Sequence, residues 1–386
     1  MDFSLTEEQQ AMREAVAAFV ARDITPLAEA IDRDDAMPME LWRKMGEMGL
    51  LGIGIDEAYG GSGGDMWDAI IAGEEIAYGS AAVALSMGAH GNLCAYNLFR
   101  NGNDEQRARY LPDLCSGQKV GCLGITEPGA GSDAVGITTS ATRDGDHYVL
   151  KGGKTWVTNA PIADTFIVYA KTAPENGAFG ISAFILERGY EGLETSKPFE
   201  KMGCRGSTTG RIFLDGCRVP AENLLGQENG GIAVMMSGLD IERLIFTGLP
   251  VAQMRRCLEL SIAYAREREQ FGRPIAKFQL IQAKIADMYT RLEASRALMW
   301  RAASAMDGFD RGGKGTEIHK LSAAALLFAA EAAEAVANDA VQIHGGNGYS
   351  LEFEVNRIYR DVRLGTIGAG TSEIRRLIIA RELLGL

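Results

Sequence analysis

The sequence predicts an α+β protein, mainly α. It divides into an N-terminal helical domain over 1–120, a middle antiparallel β domain over 121–230 and a C-terminal four-helix bundle over 231–386. Three observations carry this. Apolar residues recur at helical spacing in the first block. Short β-branched and aromatic runs, broken by Gly, Asn and Asp, fill the second. Helical spacing and an Ala-rich tract return in the third.

In the first block, Thr6-Glu7-Glu8-Gln9 has the spacing of a capping box, in which the two polar side chains satisfy each other's orphan amides. Met12, Val16, Phe19 and Val20 then form one apolar stripe, and Leu41, Met45 and Met48 repeat the spacing. Tyr59 to Gly64 is Gly-rich and reads as a loop. In the second block, Thr165 to Tyr169, Ile181 to Leu186 and Arg211 to Leu214 read as strands, and Asp144-Gly145-Asp146 as a hairpin turn. Six or seven strands with few helices between them favour antiparallel pairing. In the third block, Ile281, Ile285, Met288 and Leu292 fall on one helix face, and Ala323 to Ala340 favours helix and close packing.

Composition narrows the function. Of the 386 residues, 46% are hydrophobic and 23% charged, which excludes wholesale disorder. A net charge of −12 without a basic tract argues against nucleic-acid binding, because phosphate contacts need clustered Lys and Arg. Six Cys without a CxxC pair read as buried thiols in a reducing compartment. Four His at no zinc spacing predict no metal site. Ala323 to Ala330, ended by Glu331, is the longest membrane candidate and falls short of the ~18 apolar residues a span needs. With no targeting segment at Met1 to Gln10, a cytoplasmic protein with no membrane partner is expected.

Nucleotide fingerprints fail. Gly153-Lys154-Thr155 lacks the earlier Gly of a P-loop, and Gly129 to Ala134 fits GxGxxA but is followed by strand-like sequence. The loop Thr126 to Asp133 is still informative, because its small residues expose backbone amides that suit an anionic or carbonyl-bearing ligand. An ordinary tight turn is the bland alternative. Trp156-Val157-Thr158-Asn159 could present an indole to a flat cofactor, or bury a core Trp. Thr371-Ser372-Glu373 could simply cap the last helix.

Taken together, Thr126 to Asp133, Trp156 to Asn159, Arg268 to Gly272, Gln342 to Tyr349 and Gly368 to Glu373 occur in the order found in the acyl-CoA dehydrogenase family, which the chain resembles over essentially its whole length. Ser237 to Arg243 and Ile367 to Glu373 resemble its isovaleryl-type branch. The resemblance implies the acyl-CoA dehydrogenase-like fold, FAD as cofactor and α,β-desaturation of an acyl thioester. A carboxylate removes the α proton while a hydride leaves the β carbon for flavin N5, and the electrons pass to an electron-transfer flavoprotein. Most members carry the base in the turn matching Gly368 to Thr371, where this chain has Ala369. Isovaleryl-type members carry it at the position of Glu242, which makes Glu242 the expected base. Locally, Asp240, Glu242 and Arg243 could equally be a solvated helix start or a structural ion pair.

By the same resemblance, Leu123, Ile125, Thr126, Gly131 and Ser132 line the flavin, and Trp156, Val157 and Thr158 contact its ring system. Arg268 and Gln279 reach FAD from another subunit, with Gln342, Gly345 and Gly346 closing that shared site and Thr371 and Glu373 at the diphosphate and ribose. A homotetramer follows. Ser132, Asp240 and Arg243 match substrate-contact positions for the thioester carrier, and Gly368, Ala369 and Gly370 the acyl turn, with the Ala369 amide as a donor to the thioester carbonyl. Gly368 leaves room for branching near the β carbon, so a short branched acyl-CoA is expected. Ala233 replaces an aromatic residue that touches CoA in the family, and Thr158 to Asp164 resembles dehydrogenases of carrier-bound prolyl groups. A carrier-tethered acyl or aminoacyl substrate is therefore the alternative, with a non-catalytic flavin-binding protein as a third reading.

Overall fold

The computed structural model describes residues 5–306 and 316–386. The N-terminal block holds α1 (Glu7–Phe19), α2 (Ala28–Asp34), α3 (Met39–Glu47), α4 (Met66–Gly79), α5 (Ala81–Gly88), α6 (Tyr96–Asn101) and α7 (Asp104–Cys115). The expected capping box opens α1: Gln9 N donates to Thr6 Oγ1 at 3.2 Å, and Thr6 N to Gln9 Oε1 at 3.1 Å. Val16 and Phe19 turn inward, and Val20 continues the stripe in a π-helical turn. Leu41 and Met45 are buried as the spacing predicts, but Met48 is exposed because α3 ends before it and Met48 is its cap. The all-round apolar α4 is buried on nearly every side.

The middle block is a sheet of β1 (Gly121–Gly124), β2 (Ser140–Asp144), β3 (His147–Thr158), β4 (Thr165–Lys171), β5 (Ile181–Glu187), β6 (Leu193–Thr195), β7 (Thr209–Pro220) and β8 (Leu224–Leu225). Its order is β6-β7-β3-β2-β4-β5-β8, with β1 beside β4. Asp144 pairs with His147 across the predicted turn, and Gly145 supplies the required positive φ of 62°. Pairing is antiparallel except that β1 runs parallel to β4 and β2 touches β4 in parallel at Ser140–Lys171. The sheet is thus mixed where the chain enters it, because β1 arrives from α7 rather than from a hairpin.

Pleating explains why β4 and β5 read as unbroken apolar runs. Phe166, Val168, Phe184 and Leu186 fill the core of the β domain, whereas Ile167, Tyr169, Ala183 and Ile185 join the core of the helical blocks. The second face carries Tyr169 toward the helices of the third block.

That block holds α8 (Gly231–Phe246), α9 (Gly248–Glu267), α10 (Gln279–Met306), α11 (Thr316–His344), α12 (Glu354–Val362) and α13 (Ser372–Leu384). Helices α8 to α11 pack together, with α12 and α13 against α11. One helical stretch, Glu317–Tyr349, is long and apolar enough by length and composition to cross a membrane, which the run-length reading did not expect. Ala325, Ala329, Ala333, Val336 and Ala337 bury its faces in the bundle core. The six Cys are buried and free. Among the described residues no three His, Cys, Asp or Glu side chains group as a metal site.

Candidate active site

The loop Thr126 to Asp133 leaves the end of β1 and is held from beneath. Glu127, 5% exposed, accepts from Thr138 N at 2.7 Å, Thr139 N at 3.0 Å and Lys154 Nζ at 2.7 Å. Lys154 Nζ also donates to the Ile125 carbonyl at 3.2 Å. Burial works against both charges, yet the Lys154 and Thr139 contacts win and hold Glu127 down to about 2. Burial brings Lys154 down to about 8 despite the attraction of Glu127. Thr155 N donates to the Thr126 carbonyl at 2.9 Å, tying loop to strand. A Cβ on Gly129 or Gly131 would meet nothing within 4 Å, so the loop's outer side is open, and Ser132 is exposed with it.

Beside this loop the pairing of β3 with β7 slips between Lys154 and Val157. In that bulge Trp156 adopts φ of 59°, rare for a bulky residue, and its indole is 64% exposed. The core-Trp alternative therefore fails. Val157, by contrast, points into the core of the β domain, leaving only its backbone for a ligand, while Thr158 is half-buried. Leu123 and Ile125 are partly buried against the helical core. Pro128, Thr155, Trp156, Phe199, Glu200 and Arg211 line an open cleft. A flat aromatic surface beside an accessible Gly-rich backbone, both clamped by a buried ion pair, fits an isoalloxazine ring.

Glu242 and Arg243 lie near the C-terminal end of α8, well past its start at Gly231. That location removes the helix-start alternative. The ion-pair alternative holds for the neighbours: Arg243 donates to Asp240 Oδ1 at 2.8 Å, and His319 Nδ1 lies 2.7 Å from the same oxygen. Glu242 stays out of this cluster, and among the described residues its carboxyl makes no hydrogen bond. It keeps some accessible surface, but enough protein surrounds it that desolvation prevails. Burial pushes it up to about 7, against the opposing pull of Arg243 and Arg375. Ala233 is exposed in the first turn of α8.

The segment Gly368-Ala369-Gly370 enters α13 in a strained turn, with φ of 54° at Ala369 and 84° at Gly370. A Cβ at Gly368 would meet Leu364 at ordinary contact distance, so a side chain there is tolerated without a clash at its first atom. Thr371 caps α13 through Ile374 N at 3.3 Å, as its bland reading predicts. Arg375, fully buried in the next turn, donates to the carbonyls of Gly365 at 2.8 Å and of Gly368. The sequence reading missed Arg375, because Arg376 beside it is exposed and no apolar spacing distinguishes the two. It also missed that Glu127 and Lys154 are partners.

Arg268, Gln279, Gln342, Gly345, Gly346 and Glu373 are exposed. The first two flank the hairpin after α9, and the next three lie at the end of α11. Tyr264 of α9 reaches that end by stacking on His344 at 4.2 Å and accepting from Asn347 Nδ2 at 3.1 Å. Large exposed apolar side chains stand close by in sequence: Phe271, Leu280, Tyr349 and Leu351.

Comparison with known proteins gives the relationship. The models for the N-terminal, middle and C-terminal domains of acyl-CoA dehydrogenase match residues 6–118, 122–217 and 229–384. The mitochondrial isovaleryl-CoA dehydrogenase of Solanum tuberosum is 48% identical over 379 residues, covering 98% of this chain and 90% of that protein. Butyryl-CoA dehydrogenase from Megasphaera elsdenii superposes with a TM-score of 0.94 at 36% identity, covering 100% of both chains. The FAD complex of PigA gives 0.94 at 31% identity over 99% of both, and PigA has also been solved with FAD and proline. An exposed indole, an open loop and a desolvated carboxylate thus stand on a scaffold shared from end to end, and the chain belongs to the acyl-CoA dehydrogenase family, as an oxidoreductase acting on acyl thioesters.

Proposed function

We propose that the protein desaturates a short branched-chain acyl-CoA, isovaleryl-CoA-like, with Glu242 as the α-proton base and FAD as cofactor. One observation carries this: a desolvated, unengaged carboxyl on α8 in a chain whose alternative base position is Ala369. A carboxylate raised to about 7 is half ionised near neutral pH and is basic enough to take a weakly acidic C–H proton. The substrate loses a proton from Cα to Glu242 and a hydride from Cβ, and a carbon–carbon double bond forms. FAD, when bound, supplies the two-electron acceptor for that hydride.

The residues of this chain do the rest. Trp156 and Thr158 hold the ring system, and Thr126 to Ser132 offer backbone and hydroxyl groups to it. The Ala369 amide donates to the thioester carbonyl, where enolate charge develops. Gly368 leaves space for the branch. Ser132, Asp240 and Arg243 contact the carrier portion of the thioester substrate. The exposed apolar side chains of Phe271, Leu280, Tyr349 and Leu351, close in sequence to these positions, are what a subunit interface would cover, which supports a homotetramer with Arg268, Gln279, Gln342, Gly345 and Gly346 serving a neighbour's cofactor. An electron-transfer flavoprotein is the proposed reoxidant, and the cytoplasm the proposed compartment.

Anaerobic titration of the yellow holoprotein tests the reading. Flavin bleaching by isovaleryl-CoA in preference to straight-chain thioesters is expected. Bleaching only by carrier-bound acyl or aminoacyl groups would replace the substrate assignment, and no bleaching by any thioester would overturn it.

A further inference from the structure

Arg375 sits where few arginines do. Its surface is wholly buried, and among the described residues it forms no ion pair with a carboxylate within bonding distance; its guanidinium donates instead to two main-chain carbonyls, of Gly365 and Gly368. Burying a guanidinium without a bonded anion is costly, and its Nε has no hydrogen-bond partner among the described residues. Desolvation and the nearby Arg243 bring the group down to about 10, with Glu242 the leading counter-charge.

The second acceptor gives the arrangement a purpose. The Gly368 carbonyl and the Ala369 N–H belong to one planar trans peptide unit, so they point in opposite directions. Fixing the carbonyl inward on Arg375 fixes the N–H outward, away from the helix core. The same contact polarises the peptide, making the Ala369 N–H a stronger donor. The strained φ of Ala369 needs such an anchor, because an Ala in the left-handed region relaxes unless its surroundings hold it. From the other side, Glu334 accepts from Arg363 at 2.5 Å and from Thr366 Oγ1 at 2.9 Å, bracing the approach to the turn.

We propose that Arg375 is the positioning residue of the thioester carbonyl site: it holds and polarises the Gly368–Ala369 peptide so that the Ala369 amide stabilises the developing enolate. This rests on the reading of that amide as the carbonyl donor in the proposed reaction. A second consequence follows from charge. The groups facing Glu242 are Arg243 on its own helix, Arg375 from α13 and Tyr169 from β4. Both arginines favour the ionised base, so losing Arg375 moves the base further up.

The test uses FAD-loaded protein and an α,β-unsaturated acyl-CoA isotope-labelled at its carbonyl. In wild type, binding shifts the carbonyl stretch to lower frequency than in free ligand. In Arg375→Met and Arg375→Gln that shift shrinks, and the limiting rate of anaerobic flavin bleaching falls roughly 10- to 100-fold with half-saturation little changed. The bleaching pH profile also moves to higher pH. Arg375→Lys, which keeps the charge without the two-pronged fork, recovers part of the shift and covers the case in which the other variants do not fold. A wild-type carbonyl shift in any flavin-retaining variant, or a loss confined to half-saturation, overturns the proposal. Glu242→Gln separates it from the base assignment: that variant is expected to keep the carbonyl shift while losing bleaching. Were bleaching to survive in Glu242→Gln, the base assignment would fall while the carbonyl shift still decided Arg375.

Discussion

Replacing Glu242 with Gln should abolish turnover and at the same time stabilise the protein in a pH-dependent way. The carboxyl rises from 4.5 to about 7 on folding, with desolvation as the first cause. A carboxyl raised in this way is penalised only when ionised. The native state binds the proton more tightly than the unfolded chain, so stability falls as pH climbs from 4.5 toward 7, and the full penalty stands above 7. That gap corresponds to about 3 kcal/mol as a ceiling. Because the Glu242 side chain keeps some accessible surface, solvent screening reduces the figure to on the order of 1–2 kcal/mol. Gln carries no such penalty. Denaturant unfolding of both proteins between pH 4.5 and 8.5 should give matching curves at the acid end and a gap that opens through pH 6 and is constant above 7. Wild-type single-turnover bleaching should climb over the same window, roughly tenfold from pH 6 to pH 8, as the ionised fraction grows. A stability difference that ignores pH, or turnover retained by Gln, would refute the argument.

Trp156→Ala should lower flavin occupancy and shift the flavin absorption bands, since the exposed indole is the broadest apolar surface in the cleft; full occupancy with an unchanged spectrum would count against stacking. Lys154→Met leaves Glu127 buried without its cation and should cost about 3–5 kcal/mol, with flavin retention falling in step; urea midpoints and absorbance of gel-filtered protein measure both. Gly368→Tyr places a ring where a Cβ is tolerated, so folding should survive while branched thioesters lose more kcat/KM than straight ones; equal losses across a chain-shape panel would remove the pocket argument.

What the sequence discloses here, and what it withholds, follows from the range of the interactions involved. Capping boxes, turn glycines and apolar stripes are local, which is why Thr6 with Gln9, the turn at Gly145 and the inward faces of Val16 and Phe19 could be read directly. Met48 shows the limit of that kind of reading, since periodicity marks a stripe but does not say where the helix stops. The parallel β1–β4 pairing joins segments 44 residues apart in register and has no local signature. The site divides in the same way. Trp156 could be named from its motif, but the bulge that turns its indole outward depends on a slip in register against β7. Glu242 was marked by the vacancy at Ala369, although its desolvation is produced by distant side chains. Arg375 is the extreme case: its two acceptors are main-chain carbonyls, which every residue has, so no side-chain motif could announce it. Residues that act on the backbone of a catalytic turn will be systematically less visible in sequence than residues that touch the substrate. In this family scaffold they become apparent only once an unpaired buried charge has to be accounted for.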